Sequence, residues 1–485
     1  MTMSIPFDQY EAVIGLEVHA QLQTNSKAYC ADGTLFGLSP NEQVSPISLG
    51  HPGTLPVLNR SAIDYAIKMG LATNCAINHF NAYARKNYFY ADLPKGYQIT
   101  QHTTPICTNG HVTIEVNGQK KNIGITRIHM EEDAGKSIHD IDPFNTLVDL
   151  NRAGVPLIEI VTEPDLRNAD EAYEYLTLIR KLVRYLEICD GNMEEGSLRC
   201  DCNISVRKKG AAEFGTKIEV KNMNSIRNVK RAIEHEIERQ ITAIEAGEKL
   251  YQQTRSFNAA NGTTFDMRSK EAANDYRYFP EPDIPPFILN EADIEKVRAS
   301  MPALPEELFA RFTNEYGLSA YDAGVLSDDR FIAEYFEHLV SLSKNYKQAA
   351  NWVMGPVKSY LNERAIDIKE FPIKVEGINA MMQLVESGKV SHTVAVQKVY
   401  PVLLEDATKD PLQIAQSLNL IQESDAGAIE ELVKQALAKF PEKVAEYKSG
   451  KTGLAGLFMG EVMKLSKGKA DPKMANDLVL KHLNA

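Results

Sequence analysis

The sequence lacks the features that mark membrane and exported proteins. No apolar run approaches the roughly 20 residues that span a bilayer, so we expect no contact with a membrane. The first ten residues have neither the basic start and apolar core of a signal peptide nor the composition of a transit peptide. These absences predict a cytoplasmic protein.

Cysteine is sparse, with 6 in 485 residues, so a disulfide framework is not expected. The only close pair is Cys200 and Cys202. On a strand, both thiols would point to the same side as Ile204 and Val206. This arrangement predicts buried core thiols rather than metal ligands.

Familiar phosphate-binding motifs are also missing. Gly135-Lys136-Ser137 resembles the end of a P-loop, but Met130 stands where that motif needs its first glycine. We find no Gly-x-Gly-x-x-Gly after a strand, no Gly-x-Ser-x-Gly and no His-Glu-x-x-His. Nucleotide chemistry in this chain would therefore rest on carboxylates that hold Mg²⁺.

Basic charge is scarce as well. The formal net charge of −12 argues against a nonspecific nucleic-acid binder coated in basic residues. Residues 441–485 have the opposite sign, since eight Lys against five Asp or Glu give 8 − 5 = +3. This tail either contacts a phosphate backbone or carries solvated lysines on helix faces.

The most informative segment that is present is 13–22. As a strand it would direct Glu17 and His19 to one face, because side chains alternate with period 2. The opposite face would be apolar and would carry Ile14, Leu16, Val18, Ala20 and Leu22. A carboxylate beside an imidazole can hold a divalent metal or transfer a proton. The alternative is a solvated sheet face that happens to carry a histidine.

Other segments repeat this design. Residues 127–131, 201–207 and 217–221 alternate polar and apolar side chains. Glu159 lies in the apolar run 157–161, where an unpaired carboxylate would be costly. Together these segments predict a sheet whose polar face suits a metal, phosphate and carboxylate site.

Local signals indicate the fold class. Asn117-Gly118 predicts a hairpin turn, and Asn168 and Ser225 are predicted to cap two amphipathic helices. From about residue 290 the pattern is helical, and prolines are expected to separate successive helices at positions 302, 305, 356, 372 and 401.

These signals predict an α+β fold in three domains. The first, residues 1–292, is expected to be built on a mainly antiparallel sheet. An all-α helical domain would follow in 293–408, and a small helical tail domain in 409–485.

Long motifs along the whole chain resemble a known family. They occupy residues 13–19, 85–90, 92–98, 129–136, 156–160, 193–201 and 275–283. The sequence resembles the B-subunit family of the tRNA-dependent amidotransferases, GatB of the GatCAB complex. The resemblance identifies residues 1–292 as a catalytic cradle domain. It extends into the tail, which it identifies as a tRNA-binding domain.

The resemblance implies an activity. Members carry out ATP-dependent transamidation of misacylated Glu-tRNA(Gln), Asp-tRNA(Asn) or both, as glutamine-dependent carbon–nitrogen ligases. ATP phosphorylates the side-chain carboxylate, and ammonia from the partner amidase, GatA, displaces the phosphate. The small partner GatC makes the complex a heterotrimer. Mg²⁺ is implied because the side-chain carboxylate and the phosphates of ATP, which are both anions, must approach each other.

The resemblance also implies residue roles. The positions that match the metal site are Glu17, His19, Glu132 and Glu159. Catalytic positions are matched by Lys86, Glu132 and Asp201. Lys86 is expected near the exit of the ammonia channel, and Asp201 near the nucleotide.

Five further residues are candidates for phosphate or RNA contacts. Arg199 and Arg277 could contact phosphate, although surface or structural salt bridges would explain them about equally well. In the tail, Lys451, Lys464 and Lys467 are candidates for contacts with the tRNA body.

One segment departs from the family. Many members carry Cys-x-Cys and a later Cys-Pro-x-Cys, which suit a zinc knuckle. Here Cys30 is followed by Ala31 and Asp32, and the later segment runs from Ser45 to Ser48 without a cysteine. With one sulfur left, zinc is not expected.

Two other functions stay open at this point. A Mg²⁺-dependent RNA phosphohydrolase could use the same carboxylates on bound RNA, although it gives no reason for the long helical region. A noncatalytic tRNA-binding scaffold would not need the carboxylates at all.

Overall fold

The structure is a computed structural model that describes residues 6–267, 276–421, 426–466 and 469–484. The chain forms two compact units, Met1–Leu304 and Pro305–Ala485. A large sheet with helices makes up the first unit, and the second is helical. The predicted α+β class is therefore confirmed, while the division into three domains stays a prediction.

The strands of the first unit are mostly short, and the longest ones carry the alternating segments. They are β1 Tyr10–Gln21, β2 Ala76–Ile77, β3 Phe80–Asn81, β4 Ala84–Asn87, β5 Tyr97–Thr100, β6 Cys107–Val116, β7 Gln119–Glu132, β8 Lys136–Ile138, β9 Leu147–Asp149, β10 Pro156–Thr162, β11 Leu198–Lys208, β12 Ile218–Lys221, β13 Gln253–Asn258, β14 Thr263–Asp266, β15 Phe279–Pro280 and β16 Phe287–Ile288.

One large sheet contains most of these strands. Its order is β14-β13-β12-β11-β1-β10-β7-β5-β4-β15, and β6 pairs with both β7 and β2. Neighbours are antiparallel except for β12 and β13, which are parallel. The strands at the centre are far apart in sequence, so the sheet collects side chains from distant segments.

The described residues of the first unit form four α-helices: α1 Arg60–Ala72, α2 Ala169–Tyr185, α3 Ile226–Glu245 and α4 Glu291–Ala299. Apolar side chains of α1, α2 and α3 join one hydrophobic core with the apolar side chains of β1. The predicted apolar face of 13–22 is confirmed, since Ile14, Val18 and Ala20 are fully buried there. The helices thus cover one face of the sheet and leave its polar face for chemistry.

The hairpin and helix-cap signals are confirmed. Asn117 and Gly118 form the β6–β7 turn with φ of 52° and 75°, the left-handed values that a tight hairpin turn needs. Asn168 accepts a hydrogen bond from the backbone N–H of Glu171 at the start of α2, and Ser225 accepts one from Asn228 at the start of α3. Cys200 and Cys202 are buried in the core.

The second unit consists of helices in its described residues. They are α5 Pro305–Asn314, α6 Ala320–Leu326, α7 Arg330–Ser343, α8 Tyr346–Trp352, α9 Lys358–Arg364, α10 Val375–Glu386, α11 His392–Val394, α12 Tyr400–Glu405, α13 Pro411–Ser417, α14 Ala426–Lys439, α15 Pro441–Lys448, α16 Ala455–Leu465 and α17 Pro472–Asn484. Side chains of α14 to α17 form a hydrophobic cluster of their own. Across the residues that the structure covers, no helix is long and apolar enough to cross a membrane.

Two prolines do not separate helices, contrary to the sequence prediction. Pro356 lies in a π turn, Val353–Val357, that joins α8 to α9. Pro401 follows a second π turn, Ala395–Val399, at the start of α12. In both places the chain continues as a helix, because the altered hydrogen-bond pattern of a π turn accommodates the missing N–H of proline.

Candidate active site

Strand register brings the polar residues together on the polar face of the sheet. His19 on β1 lies directly opposite Glu159 on β10 and opposite Arg199 on β11. On its other side, Glu159 lies opposite His129 on β7. Residues from four strands therefore form one row across the sheet.

A compact cluster of carboxylates and imidazoles lies in and beside this row. His19 Nε2 is 3.3 Å from Glu159 Oε2 and 3.6 Å from Glu131 Oε1. His129 Nε2 is 3.2 Å from the same Glu159 oxygen. Ligand atoms of His19, Glu131 and Glu159 all lie within 4.8 Å of one another, close enough to share one cation.

The opposite charges in this cluster stabilise one another. Burial opposes the ionisation of Glu159, but hydrogen bonds from His129 and His19 hold its pKa well below the usual range. Burial would lower the pKa of His19, but the Glu159 carboxylate raises it to about 9. Without a bound cation, the cluster is thus an ion pair between a carboxylate and an imidazolium.

A second acidic group lies beside the first. Ligand atoms of Glu17, Asp201 and Glu219 also lie within 4.8 Å of one another. Lys221 forms an ion pair with Asp201 and lies 3.0 Å from Glu219. Burial and the charge of Glu159 raise the pKa of Glu17, although Asn203 donates it a hydrogen bond. Negative charge at Glu17 is therefore only partly compensated by the protein.

The donor set fits the implied Mg²⁺. Carboxylate oxygens are the ligands that this ion prefers, and Glu131 and Glu159 offer them from adjacent strands. Burial raises the pKa of Glu17, and the charges of Glu159, Asp201 and Glu219 raise it further; a bound cation would offset those charges. His129 Nδ1 is buried and has no hydrogen-bond partner among the described residues, so one polar atom of the cluster is left unsatisfied by that part of the chain.

The structure does not bring Glu132 into this cluster. Adjacent residues on a strand point to opposite faces, so Glu131 joins His129 on the polar face and Glu132 points the other way. Glu132 forms a buried ion pair with Lys95 and accepts a hydrogen bond from Ile99 N at 2.9 Å. Its implied role as metal ligand and catalytic residue stays a prediction.

Lys86 extends the polar face toward the edge of the sheet. Its ammonium lies 5.0 Å from the ring centre of Tyr276 and 5.8 Å from that of Tyr88. No carboxylate among the described residues lies within 4.0 Å of it. Burial lowers the pKa of Lys86, but Glu131 and Glu159 outweigh that effect and raise it. The side chain is thus a cation held near the cluster without a direct anionic partner among the described residues.

The two arginine candidates differ in their surroundings. Arg199 Nη2 donates to Asp133 Oδ2 at 2.9 Å, and Asp133 also accepts from Gln21. This ion pair, in which Asp133 is buried and Arg199 half-buried, agrees with the structural alternative for Arg199. Arg277 has a φ of +45°, and its carbonyl oxygen accepts a hydrogen bond from Asn87. A phosphate contact by either residue stays a prediction.

In the tail, Lys451 lies 3.1 Å from Glu446, and Lys464 is exposed on α16. Lys467 lies outside the described residues. Contacts of these lysines with tRNA stay predictions.

The segment that departs from the zinc pattern is held by hydrogen bonds. Asp32 Oδ2 accepts from the Ser48 hydroxyl and, at 2.9 Å, from Ser45 N. A hydrogen bond from Cys30 to Asp32 contributes to the low pKa of that carboxylate. Cys30, Asp32, Ser45 and Ser48 occupy the four positions where many members carry cysteine. They lie close together because three of them donate hydrogen bonds to the Asp32 carboxylate.

Two residues of the cluster were not among the site residues expected from the resemblance. Glu131 could have been found from alternation, since it shares the polar face with Arg127 and His129. His129 had the same signal. Nothing in the local sequence indicated that Glu219 would lie beside Glu17, because this proximity depends on the pairing of β12 with β11 and of β11 with β1.

Comparisons with known proteins identify the family of the chain. A family model for the GatB/GatE catalytic domain matches residues 12–295, and a GatB domain model matches residues 334–483. The chain is 52% identical to the B subunit of the aspartyl/glutamyl-tRNA(Asn/Gln) amidotransferase of Geobacter sulfurreducens, over 98% of this chain and 99% of that protein. It is 49% identical to the protein of the same name from Caldicellulosiruptor bescii, over 98% and 99%. The chain therefore belongs to the family of amidotransferase B subunits, as its motifs predicted, and is an enzyme subunit of the carbon–nitrogen ligase class.

Proposed function

We propose that this chain provides the site where Glu-tRNA(Gln), Asp-tRNA(Asn) or both are amidated with the help of ATP. The observation that carries the proposal is the convergence of His19, Glu131 and Glu159 on the polar face, with the Lys86 cation beside them. The names of the relatives support it, since they specify tRNA(Asn/Gln) amidotransferases.

The chemistry requires an activated carboxylate. A side-chain carboxylate oxygen attacks the γ-phosphorus of ATP, the bond to the bridging oxygen of ADP breaks, and an acyl phosphate forms. The nitrogen of ammonia then attacks the acyl carbon, and the bond to the phosphate oxygen breaks. Phosphate leaves with the electron pair, and the nitrogen loses a proton to solvent.

Negative charge is the main obstacle in the first step. The substrate carboxylate and the triphosphate are both anions and must meet beside several carboxylates of the protein. His19, Glu131 and Glu159 would hold Mg²⁺, with Glu17 nearby. When bound, this ion offsets the charge on the phosphoryl oxygens.

The protein's own side chains prepare the site for that encounter. His19 and His129 both contact one oxygen of Glu159 and fix the orientation of its carboxylate. Lys86 has no carboxylate within 4.0 Å in the described part of the chain and can approach an incoming anion. The pKa of Lys86 lies above the ordinary 10.5, so its ammonium is charged at neutral pH.

The proposal includes partners and a location. Ammonia would come from glutamine through the partner amidase GatA, and the small partner GatC would join them in a heterotrimer in the cytoplasm. The basic tail would grip the body of the tRNA through its phosphate backbone.

The test is an amidation assay on the chain coexpressed with GatA and GatC. Each misacylated tRNA is supplied with glutamine and ATP. We expect His19→Ala to abolish amidation while tRNA binding survives. His111→Ala is the matched control, since His111 is exposed on β6. Retained amidation in His19→Ala would refute the proposed role of the cluster.

The same coexpressed enzyme distinguishes the proposed function from the two other functions. Cleavage of tRNA with Mg²⁺ and without ATP would favour the phosphohydrolase. Unchanged amidation after removal of all three cluster side chains would favour a noncatalytic scaffold.

A further inference from the structure

Five aromatic side chains form a continuous series at the edge of the sheet where β4 ends. His102 and Tyr278 are stacked, with ring centres 4.0 Å apart and planes inclined by 7°. Tyr276 meets Tyr278 edge to face at 6.1 Å and Tyr88 at 6.1 Å, and Tyr88 meets Tyr90 at 5.8 Å. We call these five residues the aromatic row.

The aromatic row adjoins the acidic cluster through Lys86. The Lys86 ammonium contacts the rings of Tyr276 and Tyr88. Lys86 pairs with Gln98 on β5, and Thr100 on the same strand donates a hydrogen bond to Glu131 at 3.5 Å. The row and the cluster therefore belong to one continuous surface.

The backbone at the centre of the row is fixed in an unusual conformation. Arg277, between two of its tyrosines, has a φ of +45°, a left-handed value that bulky residues rarely adopt. Asn87 secures the segment, since its N–H donates to Tyr276 O at 2.8 Å and its amide donates to Arg277 O at 2.8 Å. Such strain persists only where surrounding contacts impose it, and it is often found at functional sites.

Three of the five rings in the row are exposed, although the rings pack on one another. Tyr278 is 37% exposed and Tyr90 54%, and His102 is also exposed. Aromatic rings that served only the core would be buried, as Tyr83 and Tyr175 are. Exposed flat rings beside a cation are the elements that stack a nucleobase and hold its phosphates.

We propose that the aromatic row is a stacking platform for an adenine base, with the His102–Tyr278 pair as its main contact. The inference rests on the proposed function, which brings two adenines to this face: that of ATP and that of the 3′-terminal adenosine of the tRNA. Stacking on the row would orient the phosphates or the aminoacyl ester toward Lys86 and the acidic cluster.

The experiment measures affinity in the enzyme assembled with GatA and GatC. The variants are Tyr278→Ala and His102→Ala, and Tyr278→Phe is the conservative variant that keeps the ring. Tyr251→Ala is the matched control, because Tyr251 is an exposed tyrosine of the same unit outside the row. The probes are ATP, inorganic triphosphate, and RNA minihelices with and without the terminal adenosine.

We expect each alanine variant to weaken one adenine-containing probe about tenfold, which corresponds to about 1.4 kcal/mol. Tyr278→Phe should bind within about twofold of the wild type, since stacking needs the ring and not the hydroxyl. Triphosphate should bind equally to all variants. A loss confined to ATP assigns the row to the nucleotide, and a loss confined to the minihelix with its terminal adenosine assigns it to the tRNA end.

Two results would overturn the inference. One is unchanged affinity for both adenine probes in the two alanine variants. The other is an equal loss for triphosphate, which would indicate a charge or folding effect. Failure of this inference is distinguishable from failure of the proposed function, because the latter appears as a wild-type enzyme that does not amidate tRNA with ATP.

Discussion

His19 and Glu159 are direct cross-strand partners, and His19 Nε2 lies 3.3 Å from Glu159 Oε2. Burial disfavours both charges, but the pair holds the pKa of Glu159 well below its usual range and raises that of His19 to about 9. Because His129 contacts the same Glu159 oxygen, the carboxylate is oriented from two sides. The site is therefore ordered by its own residues.

The neighbouring glutamates Glu131 and Glu132 should have separable effects. We expect Glu131→Gln to lower the rate of amidation by roughly 100-fold, because it removes a carboxylate from the cluster. Glu132→Gln should instead destabilise the fold by roughly 3 kcal/mol, because it leaves Lys95 without its buried partner. Turnover at saturating substrates and urea unfolding of both variants check this.

The resemblance to the family makes a different prediction for this pair. It implies that Glu132→Gln abolishes amidation. Loss of turnover in Glu132→Gln with unchanged stability, together with an active Glu131→Gln, would favour the assignment from the resemblance over the one from strand alternation.

His129 should act as a positioning residue for Glu159. His129→Leu removes the N–H that contacts Glu159, whereas His129→Gln can place an amide N–H near the position of Nε2. We expect turnover to fall roughly 10- to 100-fold in the leucine variant and to recover largely in the glutamine variant. Affinity for Mn²⁺, measured by titration, should fall more in the leucine variant than in the glutamine variant. Equal losses in both variants would indicate a packing role only.

The buried Glu236 should make the first unit sensitive to acid. It is fully buried on α3 and accepts hydrogen bonds from Arg239 at 2.9 Å and from Thr264. Burial opposes its charge, but these partners lower its pKa below the ordinary 4.5. Its contribution to stability is therefore present above about pH 4.5 and is lost as the pH falls through the lowered folded value.

Substitution tests this contribution. Glu236→Gln should reduce the free energy of unfolding by roughly 3 kcal/mol at pH 7. The difference from the wild type should shrink as the pH is lowered below 4.5, as followed by circular dichroism in urea. Glu234→Gln, an exposed position on the same helix, is the control and should change little. A difference that does not depend on pH would contradict the assigned cause.

Zinc analysis tests the segment around Asp32. We expect no stoichiometric zinc in the purified wild-type protein. Because Asp32, Ser45 and Ser48 converge by hydrogen bonds and Cys30 contacts Asp32, the triple variant D32C/S45C/S48C should bind one zinc ion through four thiolates. Elemental analysis of both proteins is the measurement, and tightly bound zinc in the wild type would contradict the prediction.

Much of the local structure followed from the sequence. Alternation identified the faces of β1, β7 and β11, and the Asn117-Gly118 turn and the caps at Asn168 and Ser225 were recognised from residue type. These features depend on the conformational preferences of a few neighbouring residues. The prediction for Pro356 was wrong because the π turn around it depends on its helical context.

The composition of the site was only partly predictable. Glu17, His19 and Glu159 were expected on the polar face, and the structure places them there. Alternation also put Glu131 on that face, whereas the resemblance indicated Glu132. In the structure the two side chains lie on opposite faces of the sheet.

The sequence by itself determined which side chains each strand presents, since alternation is a property of the extended backbone. Only the tertiary structure decided which strands are neighbours. The order β12-β11-β1-β10-β7 brings Glu219, Glu17, Glu159 and Glu131 to one surface from positions far apart in the chain. That order results from hydrogen bonding between distant segments and from helices α1, α2 and α3 covering the opposite face, and no local pattern encodes either.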